Sequence, residues 1–203
     1  CIRDRINSGF EFPDHKITVN LAPADLPKEG GRFDLAIALG ILHASGQLQA
    51  DLSGYEFFGE LALSGEIRSI VGEIPLALAC KMAGHTAVFP LPNAVQAQQI
   101  PDMQLCGAEH LLQLHAFLLH QQALPAIPAI PPTEAELYPD LAEVRGQAQA
   151  KRALEIAAAG EHNLLMFGPA GTGKSMLAQR LPGILPTLTD QEALETAAIY
   201  SVA

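Results

Sequence analysis

Cysteine is scarce in this 203-residue chain, with three residues, Cys1, Cys80 and Cys106, set far apart and forming no C-x-x-C pair. That spacing supports neither a disulfide framework nor a zinc knuckle and fits a reducing compartment best. Basic residues are scarce too: 12 Lys and Arg face 22 Asp and Glu, a formal net charge of -10. Residues 1–124 and 125–203 are each acidic overall. A free-standing nucleic-acid clamp is therefore not expected in this segment, because such binding depends on Lys and Arg neutralising phosphates. No apolar run reaches the roughly 18 to 20 residues that cross a bilayer, and no basic leader with an apolar core opens the sequence, so the expectation is a cytoplasmic protein with no membrane partner. The sequence opens on CIRDR rather than Met, which is read as an internal fragment or a broken reading frame. What is present is globular: 49% hydrophobic and 17% charged residues, enough to build one large or two small domains.

Four prolines fall within LPAIPAIPP, Leu124–Pro132. Each fixes its φ and removes a donor, so an extended linker over residues 124–136 is expected between a domain at 1–123 and another at 137–203. Before the linker, KITVNLA (Lys16–Ala22) alternates like a strand, and Phe33–Gly46 reads as an apolar helix ended by glycine. YEFFGELAL and EIRSI flank Ser64-Gly65 and predict a hairpin. A helix over Ile74–Ala83, a short buried strand at Thr86–Phe89 stopped by Pro90, and a last helix over Ala108–Leu119 complete an α+β pattern. Beyond the linker, a helix is predicted from about Ala148 to Gly160, then a buried strand NLLMF (Asn163–Phe167), then a helix SMLAQRL that stops at Pro182.

That last strand and helix enclose the strongest chemical signal in the chain. LLMFGPAGTGKSMLAQRL contains G-x-x-x-x-G-K-S, with Gly168, Pro169, Ala170, Gly171, Thr172, Gly173, Lys174 and Ser175 forming a phosphate-binding loop in its required strand–loop–helix setting. Glycines at 168, 171 and 173 let backbone amides approach phosphate oxygens with no Cβ in the way, and the following helix start favours an anion. Lys174 is expected on the β- and γ-phosphates of ATP, and the Ser175 hydroxyl on Mg²⁺. Hydrolysis needs a further acid at the end of a second apolar strand. Asp190, Glu192 and Glu195 follow no such strand, so the loop reads as the first element of a larger ATPase domain, and this chain by itself is expected to bind ATP weakly or not at all and to hydrolyse none.

Twenty residues upstream, Val144-Arg145-Gly146-Gln147 resembles the V-x-G-Q box that lies against the adenine in AAA+ ATPases, which would make Val144, Gly146 and Gln147 nucleotide-binding residues. NSGFEFPDHKITVNLAPADLPKEGGRFDLAIALGIL, FGELALSGEIRSIVG, GQAQAKRALEIAAAGEHNLLMFGPAGTGKS and RLPGILPTLTDQEALETAAIYSVA resemble the magnesium-chelatase-related AAA+ proteins of the YifB/ComM family. The resemblance covers nearly the whole chain. It implies an α+β domain like the Lon protease catalytic domain (ribosomal S5 domain 2-like), lacking its first strands, followed by the first part of an α/β P-loop AAA+ domain. It also implies ATP and Mg²⁺ as cofactors, a hexameric ring in the intact protein, and DNA as a partner there, since ComM proteins are branch-migration helicases in natural transformation. Magnesium chelatase subunit I, which shares the ATPase core, is the alternative. A Lon-like domain ahead of the linker argues against it, because such a subunit is expected to begin near the ATPase core.

A Lon-like domain raises the possibility of a Ser-Lys peptidase. The family's serine stretch aligns with PKEGGRFD, Pro27–Asp34, which puts Arg32 where the nucleophile should be. Ile74-Pro75-Leu76 stands where the lysine is expected. Without a base beside it a serine is inert, and Ser64, Ser69 and Lys81 have no spacing that supports a shared site. The domain thus reads as non-catalytic, and the loop around Lys28 and Arg32 as either a contact to DNA or a neighbouring subunit or a solvated loop. His110, His115 and His120 recur every five residues and spread around a helix, a poor metal set.

Overall fold

A computed structural model describes residues 9–11, 13, 16–21, 30–130 and 137–202. The chain divides into two compact units, Cys1–Ile130 with Ala193–Ala203, and Pro131–Glu192. The first contains α1 (Asp34–Ala44), β1 (Tyr55–Phe57), β2 (Glu60–Leu61), β3 (Ile67–Arg68), α2 (Glu73–Ala83), β4 (Thr86–Pro90), α3 (Leu91–Ala97), β5 (Leu105–Ala108) and α4 (Leu111–Leu118).

Strands β1, β4 and β5 form a parallel sheet with β4 in the middle. Side chains alternate across a strand, and β4 is apolar on both faces. Val88 joins a cluster with Leu35, Leu39, Leu111 and Leu114, whereas Ala87 and Phe89 join one with Ile74, Ala77, Cys80 and Ala94. Helices α1 and α4 thus supply one core and α2 and α3 the other, an α/β layering in which the central strand reads as an unbroken apolar run. Helix α1 buries Leu35, Ala38, Leu39 and Leu42, the i, i+3, i+4, i+7 stripe of a core-facing helix. It gives way to Gly46 at φ 77°, a left-handed turn that glycine adopts freely.

Parallel pairing revises the expected hairpin. Leu61 and Ile67 do pair antiparallel across Ser64-Gly65, but Tyr55–Phe57 leaves that ribbon and pairs with Thr86–Val88. The switch comes at Gly59, whose φ is 154° and whose Cβ, were there one, would lie 2.7 Å from Ile67 Cγ2. Lys16–Leu21 carries no strand despite its alternation, and Ala22 lies outside the described residues. Strand β5 and helix α3 were not anticipated. The last helix starts at Leu111 rather than Ala108, because Ala108 ends β5 and His110, extended, caps the helix by accepting from Leu112 N–H at 3.1 Å through Nδ1.

One buried amide binds the first unit together. Asn93 is 6% exposed. Its Oδ1 accepts from Ile70 N–H at 3.0 Å, and its Nδ2 donates to Ile70 O at 2.8 Å and to Glu73 Oε2 at 3.1 Å. The proline-rich stretch is not free chain throughout its described part: Leu124 and Ile127 pack on the two cores and Pro128 O accepts from Gln98 Nε2 at 2.7 Å. Residues 131–136 lie outside the described residues.

The second unit has α5 (Ala148–Ala159) and α6 (Lys174–Ala178), with single helical turns at Leu141–Glu143 and Pro182–Ile184. Its core is small: Leu141, Val144, Leu154 and Leu177, with Met166, Met176, Leu181 and Ile184 around them. Asn163–Phe167, expected as a buried strand, forms none, and Leu165 and Phe167 are 84% and 90% exposed. A strand is held by its neighbours, and among the described residues of this unit no other strand is present to pair with it. The final helix, α7 (Asp190–Tyr200), carries a capping box: Glu192 Oε2 accepts from Thr189 N and Oγ1, both at 2.7 Å, and Glu192 N donates to Thr189 Oγ1 at 3.3 Å. Leu194, Ala197 and Ala198 pack on the core around Phe89.

Candidate functional site

The loop from Gly168 to Ser175 runs from a segment without regular structure into the start of α6. Gly168, Gly171 and Gly173 all have positive φ, 151°, 83° and 81°, as a chain that turns its amides inward requires. At Gly173 a Cβ would also sit tightly, 3.0 Å from Gln147 Nε2. Pro169, Ala170 and Ser175 are exposed. Ser175 occupies the second position of α6, in the first turn, whose amides have no intrahelical acceptor.

Lys174 folds back over this loop. Its Nζ donates to Pro169 O at 2.7 Å, to Gly168 O at 2.9 Å and, more weakly, to Thr172 Oγ1 at 3.4 Å. Thr172 Oγ1 in turn donates to Pro169 O at 3.0 Å. A flexible ammonium stem holding only loop acceptors can exchange them for phosphate oxygens without dismantling a core. The three positive-φ glycines, the ammonium and the exposed serine fit a nucleoside triphosphate with Mg²⁺, judged by the chemistry of the donors.

The upstream box lies beside the loop. Val144 is buried with Leu141, Leu154 and Leu177, and Gly146 has φ 69°. Gln147 is left-handed at φ 52°, its carbonyl accepts from Lys151 N at 3.0 Å at the start of α5, and its Nε2 donates to Thr172 O at 3.3 Å. The structure thus brings Gln147 to the phosphate loop, while Val144 serves the core. Arg180 was not singled out from the sequence. Its guanidinium donates to Met176 O and Asp140 O, each at 3.0 Å, and to Glu143 Oε2 at 2.9 Å, joining α6 to the turn before the box. No motif marks it; only its position one turn beyond Met176 on the chain that follows α6 could have drawn attention.

The other candidates are occupied elsewhere. Lys81 Nζ donates to Pro101 O at 2.6 Å, and Ser64 Oγ accepts from Glu66 N at 3.4 Å. Arg32 lies over the Phe33 ring at 5.9 Å, and Lys28 falls outside the described residues. Burial pushes the Cys80 thiol up to about 11, with the nearby Glu56 carboxylate adding to the shift, and burial also raises Cys106, so neither is poised as a nucleophile. His110 Nε2 meets Ser64 O at 3.0 Å and His115 Nε2 meets Gln47 O at 2.9 Å. Among the described residues no cluster of three or more His, Cys, Asp or Glu could hold a metal, and no helix is long and apolar enough to cross a membrane.

Residues 2–93 match the family described as "Subunit ChlI of Mg-chelatase", and residues 140–203 match "Magnesium chelatase, subunit ChlI". Over 203 residues the chain is 49% identical to the competence protein ComM of Haemophilus influenzae, covering 97% of this chain and 40% of that protein. It is 52% identical over 198 residues to the uncharacterized protein YifB of Salmonella typhimurium, covering 97% and 39%. An uncharacterized protein of Mycobacterium tuberculosis is 41% identical over 208 residues, covering 99% and 41%. The chain belongs to the YifB/ComM family of magnesium-chelatase-related AAA+ proteins. That is the family its sequence motifs resemble, and the chain spans about two-fifths of the length of these relatives.

Proposed function

We propose that this chain binds ATP with Mg²⁺ through Gly168–Ser175. In the whole protein we further propose that it is the nucleotide-gripping part of a cytoplasmic, ring-forming AAA+ motor that acts on branched DNA. The observation that carries the reading is the loop itself, with three positive-φ glycines and Lys174 gathered onto Gly168 and Pro169 carbonyls. Lys174 would meet the β- and γ-phosphates and Ser175 the Mg²⁺, which withdraws charge from the phosphates when bound. The first unit is proposed as a non-proteolytic, Lon-like assembly module. Arg32 in place of the serine supports this, as does Lys81, whose ammonium is spent on Pro101 O.

The DNA role rests on likeness to a protein named for competence. Any DNA contact must overcome a net charge of -10, so the isolated chain should bind DNA poorly even at low salt. The chelatase reading is favoured by one observation: the descriptions matched by both parts of the chain name the chelatase subunit. Since residues 2–93 carry that description as well, the first unit does not by itself set this chain apart from chelatase subunits. The experiment that separates the two is migration of four-way DNA junctions by the intact protein with ATP and Mg²⁺. Movement only with hydrolysable ATP is expected of the motor, and a protein that hydrolyses ATP yet leaves junctions in place would favour the chelatase or scaffold reading.

A further inference from the structure

Gln147 adopts a backbone conformation that residues with a Cβ seldom take, φ 52° and ψ 38°, directly after a left-handed Gly146. A glycine would meet that demand with less strain, so the side chain's reason for being there should be sought in what it touches. Its amide nitrogen donates to Thr172 O at 3.3 Å, the peptide that joins Thr172 to Gly173 in the centre of the phosphate loop. A trans peptide is planar, with its C=O and N–H pointing in opposite directions. Pinning the Thr172 carbonyl to Gln147 therefore turns the Gly173 N–H away from Gln147 and fixes the plane in which it can donate. A Cβ at Gly173 would stand 3.0 Å from the same Gln147 nitrogen, a tight contact that the amide could meet only by shifting.

We infer that Gln147 is a positioning residue for the phosphate loop, aligning the Gly173 amide for a polyphosphate through the Thr172 carbonyl instead of contacting the base. The inference rests on the nucleotide-binding reading of the loop, and it ties the start of α5 to that loop. Arg180 secures the same segment further upstream, by its bonds to Asp140 O and Glu143 Oε2. Through Gln147 a shift of the 172–173 peptide would be felt at the N-terminus of α5, while Arg180 ties the chain after α6 to the segment upstream.

The test uses Gln147→Gly, which keeps the left-handed backbone and removes only the side chain, and Gln147→Asn, whose amide is one methylene too short. Binding of ATP, GTP and inorganic tripolyphosphate, each with Mg²⁺, should weaken in both variants by the same factor, about three- to tenfold for one lost hydrogen bond, with no fall in Tm for the glycine variant. A loss confined to ATP, with tripolyphosphate unchanged, would overturn the inference in favour of a base contact. Unchanged binding of all three would reduce Gln147 to a helix cap. In the ligand-free chain, the 172–173 peptide should loosen in Gln147→Gly, read as a lower backbone order parameter at Gly173, and an unchanged value would also overturn it. If the unsubstituted chain binds none of the three probes while the Gly173 order parameter still falls in Gln147→Gly, the nucleotide reading fails and the hold of Gln147 on the loop stands.

Discussion

The first unit is organised by burial and the second by hydrogen bonds to backbone. Around β4, Val88 and Phe89 are fully buried on opposite faces of the sheet, each with a helix-borne cluster against it. Around the phosphate loop, few side chains are buried. The polypeptide path is set by positive-φ glycines, by Lys174 on two loop carbonyls, by Gln147 on a third and by Arg180 on Asp140 and Met176. Burial resists any change of volume, whereas a polar clamp can trade one partner for another. The proposed nucleotide site would have to accept and release a charged ligand, to which the second kind of support is suited.

The contrast can be broken by substitution. Phe89→Ala removes a ring that is stacked on Phe58 at 4.8 Å and closed in on all sides. It should cost about 3–5 kcal/mol, read as a large rise in amide exchange along β4 and α2. Arg180→Met keeps most of the aliphatic bulk and removes three hydrogen bonds. It should cost about 1–3 kcal/mol, read as faster exchange in α6, and a cost as large as that of Phe89→Ala would mean that the second unit relies on packing after all. The smallest effect concerns the Thr189–Glu192 capping box. Hydrogen bonds from the Thr189 hydroxyl and amide hold the Glu192 carboxyl below its usual value of 4.5. A carboxylate lowered in the folded state stabilises above its unfolded pKa and loses that contribution as pH falls through the folded one. The first turn of α7 should therefore fray progressively below about pH 4.5, and Glu192→Gln, which keeps an acceptor for Thr189 but cannot titrate, should flatten the pH dependence. A pH response identical in Glu192→Gln would assign the fraying to another group.

How much of this could be read beforehand follows the same division. Helices α1, α2 and α5 were legible within a residue or two because their apolar runs end in glycines, and Gly46 and Gly84 are left-handed where the chain turns away. Helix α3 was hidden by Pro90 and Pro92, which look like breakers but sit before and within its first turn, where a missing N–H costs nothing. Strand β5, LCGA, is too short for periodicity to mark it. Lys16–Leu21 and Asn163–Phe167 have strand-like sequences and no ladder, since alternation and apolarity record a preference that only a neighbouring strand can realise. At the candidate site, the glycines, Lys174 and Ser175 stand out in the sequence because phosphate binding would dictate those types at that spacing. Thr172 and Gln147 meet across 25 positions through a carbonyl that every residue type possesses, so no pattern of side chains could announce that contact.

The central claim is that Gly168–Ser175 grips a triphosphate through Lys174. Titration of the chain with ATP and Mg²⁺ by calorimetry, beside Lys174→Ala, tests it most directly. The account predicts saturable binding that inorganic tripolyphosphate displaces and that Lys174→Ala loses by a hundredfold or more, about 3 kcal/mol for a charge-assisted phosphate partner removed. Equal affinity in the two proteins, or binding that tripolyphosphate fails to displace, would contradict it.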